Sequence, residues 1–228
     1  MASIKLIPVI DLKDGIVVHA KYGQRDNYQP IQSVLSEQPD IYSVLNGFLR
    51  LHAFDTLYIA DLNAITQNGD NSTLIQQVIN DFPTIMFWID AGKIHPQEFP
   101  QKYMPILGSE YMDKHCATYL AQFNHEFILS LDHGVVGERL GAAELWHEPN
   151  YWPKEVIIMT LARVGSSQGV ASKELQHFNE AHPNKQFIAA GGVRNMNDIA
   201  LLKKYNVKAV LLASAFHFGA ITAENLKY

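Results

Sequence analysis

Asp11 and Asp132 are the residues from which chemistry can be argued first. Each sits at the end of a short apolar run, Pro8-Val9-Ile10-Asp11-Leu12 and Ile128-Leu129-Ser130-Leu131-Asp132-His133. Two carboxylates placed across one cleft can divide proton work, one accepting while the other donates. An aspartate at a strand end can also simply cap the next turn, so the pair carries the functional reading better than either residue alone. A second constellation is Gly191-Gly192-Val193-Arg194 together with Ala213-Ser214. Glycines let backbone N–H groups approach an anion, and a serine on the neighbouring strand end can add a hydroxyl. Gly191, Gly192, Val193, Ala213 and Ser214 are therefore the expected phosphate contacts. Lys21, Arg25, Arg163 and Arg194 are the cations that could assist, with Lys21 expected to be solvated surface. His217 is expected to pack or to be capped, and His19 has no role readable from sequence. No paired-histidine, Glu-x-x-His or cysteine cluster suggests a metal, no Gly-x-Ser-x-Gly elbow a serine hydrolase, and no Walker loop occurs.

These residues need a scaffold that brings distant strand ends together. Apolar, β-branched runs recur at 5–12, 56–62, 85–92, 104–111, 127–133, 155–165, 186–194 and 209–216, and they predict eight buried strands. Stretches of helical period separate many of them, at 40–51, 72–82, 173–182 and 196–205. Strands apolar on both faces and alternating with helices require a parallel sheet covered by helices, and eight such units close most simply into a (β/α)8 TIM barrel. An open doubly wound sheet is the alternative, but no Gly-x-Gly-x-x-Gly turn follows the first strand. In a barrel the loops at the C-terminal strand ends build the site, which is where Asp11, Asp132, Gly191–Gly192 and Ser214 fall. Two segments interrupt the pattern. Residues 15–28 read as a polar extension and loop in the position of a lid, and residues 137–153 as a short helix within a loop.

The chain also repeats itself. Phe87-Trp88-Ile89-Asp90-Ala91-Gly92-Lys93-Ile94 parallels Phe187-Ile188-Ala189-Ala190-Gly191-Gly192-Val193-Arg194, and Ile106-Leu107-Gly108-Ser109-Glu110 parallels Leu211-Leu212-Ala213-Ser214-Ala215. The runs ending at Asp11 and Asp132 form a third match in the same order, so two half-barrels are implied.

Composition bounds the partners. The 228 residues, 47% hydrophobic and 18% charged, suit one domain spanning the whole chain. A net charge of −5 and the absence of basic runs disfavour nucleic acid and anionic membranes as partners. The stretch 1–13 has no signal-peptide pattern and no apolar run is long enough to span a bilayer, so a soluble, cytoplasmic protein is expected. The lone Cys116 is expected to pack within a helix. Oligomeric state is not readable.

At this point a resemblance emerges. Ile7-Pro8-Val9-Ile10-Asp11-Leu12 with Gly15–Val18, Asp61-Leu62, Gly108-Ser109, Asp132, Gly191-Gly192-Val193 and Ser214 resemble the histidine-biosynthesis barrels, ProFAR isomerase (HisA) and its cyclase relative (HisF), over nearly the whole chain. His19-Ala20, Gly23-Gln24-Arg25, Tyr28–Ile31, Asp90-Ala91-Gly92, Leu161–Gly165 and Ala213–His217 look closer still to a HisA/HisF-related family of methanogens and methylotrophs. The resemblance implies a cofactor-free, Amadori-type isomerisation of an aminoaldose phosphate to an aminoketose. It casts Asp11 and Asp132 as the acid–base pair and Thr160 as a sixth-strand catalytic threonine. Arg25, Asp61, Asp90, Gly108, Ser109 and Arg163 become substrate contacts. The departures matter equally. Where ProFAR isomerase has a Gly-Gly-Gly turn for a second phosphate, this chain has Asp90-Ala91-Gly92, and Val164-Gly165 stands for its Asp-Gly. The expectation is therefore a phosphorylated small-molecule substrate with one phosphate, a sugar or sugar-like precursor, with one-carbon-carrier synthesis as the candidate pathway. A true ProFAR isomerase and a non-catalytic binding or scaffold barrel are the alternatives. Lys93 is placed to pair with Asp90, which would soften that departure.

Overall fold

The computed structural model describes residues 4–95, 102–124, 126–166 and 168–227; residues 1–3 of the opening stretch thus lie outside the described residues. Among the described residues, eight parallel strands form a closed ring: β1 (Lys5–Lys13), β4 (Thr56–Asp61), β5 (Met86–Asp90), β6 (Tyr103–Gly108), β7 (Ile128–His133), β8 (Glu155–Thr160), β9 (Gln186–Ala190) and β10 (Ala209–Leu212). Neighbours in sequence pair in turn, and β10 returns to β1 with Lys5 opposite Ala209 and Pro8 opposite Leu212. The (β/α)8 barrel expected from the alternation is the architecture found.

Strand parity decides what each residue faces, because successive side chains point to opposite sides of the sheet. Ile7, Tyr58, Trp88, Ile106, Ile128, Ile157 and Ile188 form the cluster inside the ring. Their immediate neighbours in sequence, such as Ile59, Phe87, Leu107, Leu129, Val156, Ile158 and Phe187, pack outward against the helices. Counting by twos along the strands, Asp11, Asp90 and Asp132 carry inward parity, whereas Asp61 and Thr160 carry outward parity.

The helical stretches follow their apolar periods. α1 (Ile41–Leu51) buries Ile41, Val44, Leu45 and Phe48, and Asp40 caps it by accepting the Ser43 N–H at 2.9 Å. α2 (Leu62–Ile65) is a single turn, and α3 (Ser72–Asp81), α6 (Ser172–Ala181) and α7 (Met196–Lys204) lie within a residue or two of the predicted spans. α4 (Cys116–Ala121) buries Cys116 as expected, and the segment 137–153 contains α5 (Ala143–His147) and a 3-10 turn at Pro149–Tyr151. Among the described residues, no helix is long and apolar enough to cross a membrane.

The predicted strands were too long at their C-terminal ends. The run 104–111 leaves the sheet at Gly108, and Ser109–Tyr111 forms a 3-10 turn. The run 155–165 stops at Thr160 before another at Leu161–Arg163, and 209–216 turns after Leu212 into α8 (Ser214–His217). At these ends the chain must bend across the mouth, so an apolar composition continues without sheet pairing. The segment 15–28 is more ordered than a loop. β2 (Ile16–His19) folds back antiparallel on β1, and β3 (Gln29–Pro30) pairs with β2.

Candidate active site

The C-terminal strand ends surround a cleft. Asp11, Asp90 and Asp132 stand in it with Tyr58, Glu110 and Arg25. Gly191, Gly192, Val193, Ala213 and Ser214 line it as well. The structure therefore brings together nine of the residues singled out from sequence.

Asp132 is held from several directions. Ser130 Oγ donates to Oδ1 at 2.6 Å, while Ser109 Oγ and the Glu110 N–H donate to Oδ2 at 3.1 and 3.2 Å. Ser109 also accepts the Asp132 N–H at 2.8 Å, so it reaches the cleft only through Asp132. Gly108 leaves room for this arrangement, since a Cβ there would meet the Tyr111 hydroxyl at 2.7 Å and Asp132 Oδ2 at 3.2 Å. Burial raises Asp132 from 3.8 to about 7, reinforced by Glu110 and opposed by the Ser130 hydrogen bond. Asp11 is half-buried and takes no side-chain hydrogen bond from the described residues. Burial raises it also to about 7, with Arg25 opposing and Asp90 adding.

Asp90 is the third carboxylate. It accepts a short hydrogen bond from the Tyr111 hydroxyl, a longer one from the Tyr58 hydroxyl at 3.3 Å, and the Gly92 N–H at 3.0 Å. Burial lifts it to about 6, against the Tyr111 and Gly92 hydrogen bonds. Lys93 does not pair with it. That ammonium lies over the Tyr119 ring, 5.6 Å from its centre. Arg25, carried by the β2–β3 connection, reaches the cleft and pairs with Glu110 at 2.6 Å, and the Tyr22 N–H donates to the Val164 carbonyl across the mouth at 2.9 Å.

At the opposite edge, Gly191 and Gly192 have φ of +99° and +83°, and a Cβ would meet the Thr160 carbonyl at 2.7 Å and the Gly169 carbonyl at 2.3 Å. Both positions demand glycine. Ser214 opens α8, so its N–H has no acceptor within that turn. His19 Nε2 stands 3.4 Å from Ser214 Oγ. His217 is buried, with Nδ1 2.9 Å from Ser33 Oγ, and burial lowers it to about 4, as suits a packed histidine.

Three residues singled out from the resemblance stand apart from this cleft. Asp61 points outward, where it accepts the N–H groups of Ala64 and Asn71 and the Asn71 amide. Thr160 and Arg163 line a neighbouring cavity with His133 and Glu174, and Arg163 donates to the Gly169 carbonyl at 2.8 Å. Arg194 is engaged by Asp198 through Nε at 2.9 Å and Nη2 at 2.7 Å. Tyr58, Tyr111 and Glu110 are members of the site that sequence reasoning did not assign. Tyr58 had a usable signal, being a polar-tipped residue on the inward parity of a strand. Among the described residues, no group of three or more His, Cys, Asp or Glu is arranged to hold a metal ion.

An uncharacterized protein of Methanocaldococcus jannaschii is 31% identical over 97% of this chain and 97% of its own. Two proteins named 1-(5-phosphoribosyl)-5-((5-phosphoribosylamino)methylideneamino)imidazole-4-carboxamide isomerase are also similar. That of Nitrosopumilus maritimus is 25% identical and that of Phocaeicola vulgatus 28%, each over 98% of both chains. The pattern of the family described as histidine biosynthesis protein matches residues 5–222. With its closed barrel and this match over nearly its full length, the chain belongs to the histidine biosynthesis protein family.

Proposed function

We propose that this protein is a cofactor-free acid–base isomerase of a monophosphorylated sugar or sugar-like compound. The observation that carries the reading is the pairing of Asp11 and Asp132 in one cleft, both raised to about 7. Carboxyl groups poised near neutrality can serve as either acid or base at the working pH. In an Amadori-type rearrangement of an aminoaldose phosphate, one aspartate protonates the ring oxygen to open the sugar. The other removes the C2 proton. Ser109 and Ser130 orient Asp132 for this work through the hydrogen bonds described above.

The phosphate is assigned to the backbone of Gly191–Val193 and Ala213–Ser214, where two glycines with positive φ keep the chain close to the cleft. Arg25 supplies the cation of the opposite wall. Asp61, Thr160 and Arg163 have no direct substrate contact in this reading. The resemblance to proteins of methanogens and methylotrophs favours a cytoplasmic role in one-carbon-carrier synthesis.

A second reading is ProFAR isomerase itself, favoured by the names of the relatives from Nitrosopumilus maritimus and Phocaeicola vulgatus. The compound in those names carries two phosphoribosyl groups, and Asp90 stands where a second phosphate would need an open turn. Expression in a strain lacking that isomerase separates the two. Continued histidine auxotrophy is expected, and growth without histidine would replace the first reading by the second. The catalytic core of the proposal is tested by turnover of monophosphorylated aminoaldoses with the wild type, Asp11→Asn and Asp132→Asn.

A further inference from the structure

The charge in the cleft is distributed unevenly. Around the mouth stand four carboxyl groups, Asp11, Asp90, Glu110 and Asp132, and one guanidinium, Arg25, which is already bonded to Glu110. The far edge, at Gly192 and Ser214, carries no side-chain charge of its own. Lys93, the nearest lysine in sequence to Asp90, is turned to Tyr119, and Asp11 meets the cleft with no hydrogen-bonding partner among the described residues. An enclosed surface with this excess of carboxyl over cationic groups lacks a counter-charge, and burying unpaired carboxylates is costly. A metal is a poor candidate for that role, since these groups do not assemble into a ligand set among the described residues.

We infer that the substrate is bipolar, a monophosphate whose other end bears a cationic amine that sits among Asp11, Asp90 and Asp132. The inference rests on the assignment of the phosphate to the Gly192–Ser214 edge and extends it by naming the group at the opposite end. The amine replaces the missing counter-charge. It can donate up to three hydrogen bonds, and Asp11 has acceptor capacity free. Asp90 already takes three donors, so it contributes mainly as charge. The raised values of all three aspartates agree with this placement: burial is the first cause in each, neighbouring carboxyl groups add to it, and a cation among them would oppose both. A second phosphate in that place would face the same carboxyl groups with unfavourable sign.

Calorimetric titration with two matched series of alkyl monophosphates, from ethyl to octyl, tests this directly. One series ends in a primary amine and the other in a hydroxyl. Inorganic phosphate serves as the reference for the phosphate edge alone. At least one amine is expected to bind about tenfold or more tightly than its hydroxyl partner, and Asp90→Asn should reduce that ratio severalfold. Asp11→Asn should reduce it too. If phosphate binds and no amine outbinds its partner, the cationic end is wrong while the phosphate assignment stands. If inorganic phosphate and every alkyl phosphate fail to bind, the phosphate assignment falls and this inference falls with it. An amine preference that survives both substitutions unchanged would also overturn it.

Discussion

The turns that follow β5 and β9 occupy equivalent places in the two half-barrels and have opposite character. After β5 the chain runs Asp90-Ala91-Gly92, and the Gly92 N–H is bound by the Asp90 carboxylate at 3.0 Å. After β9 it runs Ala190-Gly191-Gly192, with no side chain to occupy the turn and with two successive positive φ values. One turn has filled its own anion-attracting amide with an internal carboxylate, and the other has kept its backbone facing the cleft. On the proposed reading, a duplicated framework holds an anion at one end and repels it at the other, through a change in very few residues.

The largest effect is expected where the halves meet. Asp11→Asn and Asp132→Asn should each lower turnover about 10²–10⁴-fold while leaving the circular dichroism spectrum intact. Wild-type rates in both would reduce the pair to turn caps and dissolve the functional contrast between the ends. Next is Gly192→Ala. A residue held at positive φ costs on the order of 1–3 kcal/mol, and here the Cβ would also press on the Gly169 carbonyl at 2.3 Å. Thermal melting should drop by several degrees and inorganic phosphate should lose its site. A Gly192→Ala protein as stable as wild type would mean that the turn is not held as described.

The acidic half predicts a pH dependence of stability. Asp11, Asp90 and Asp132 have folded values of about 7, about 6 and about 7, raised from 3.8, so the folded state binds more protons than the unfolded chain in between. Their contribution is greatest below the unfolded value and is lost as pH rises from about 4 to about 7. The slope is at most about 1.4 kcal/mol per pH unit for each group. Denaturant melts should show stability falling across that window and a shallower fall in Asp90→Asn. A flat profile would show that the carboxyl groups are solvated. The smallest effect concerns Tyr111→Phe, which removes a hydrogen bond that favours the ionised form of Asp90. Carboxyl resonances should report Asp90 titrating above about 6, higher by roughly one unit. An unchanged value would release Tyr111 from the site.

The barrel was legible because burial on both faces leaves an unmistakable rhythm of strands and helices. Asp11, Asp132 and the glycine pair were legible because the half-barrel repeat marks equivalent strand ends. What the sequence left hidden depends on register. Asp61 and Thr160 lie at C-terminal strand ends and Asp11 close to one, but one position of parity turns the first two away from the cleft. Tyr111 and Glu110 belong to a turn that reads as the tail of a strand, so their inward reach appears only once the chain has bent. Arg25 depends on a hairpin whose pairing with β1 carries it over the mouth.

The contrast between the two turns is tested most directly by titrating the protein with aminosugars carrying one or two phosphates, before and after Asp90→Gly. A carboxylate about 4 Å from a phosphate charge costs on the order of 1–4 kcal/mol in wet to partly shielded surroundings. The wild type should therefore bind the monophosphate more tightly. Asp90→Gly should improve the bisphosphate by tenfold or more, roughly. If the wild type prefers the bisphosphate, and Asp90→Gly brings no gain, the turn after β5 does not exclude phosphate and the account of the cleft is contradicted.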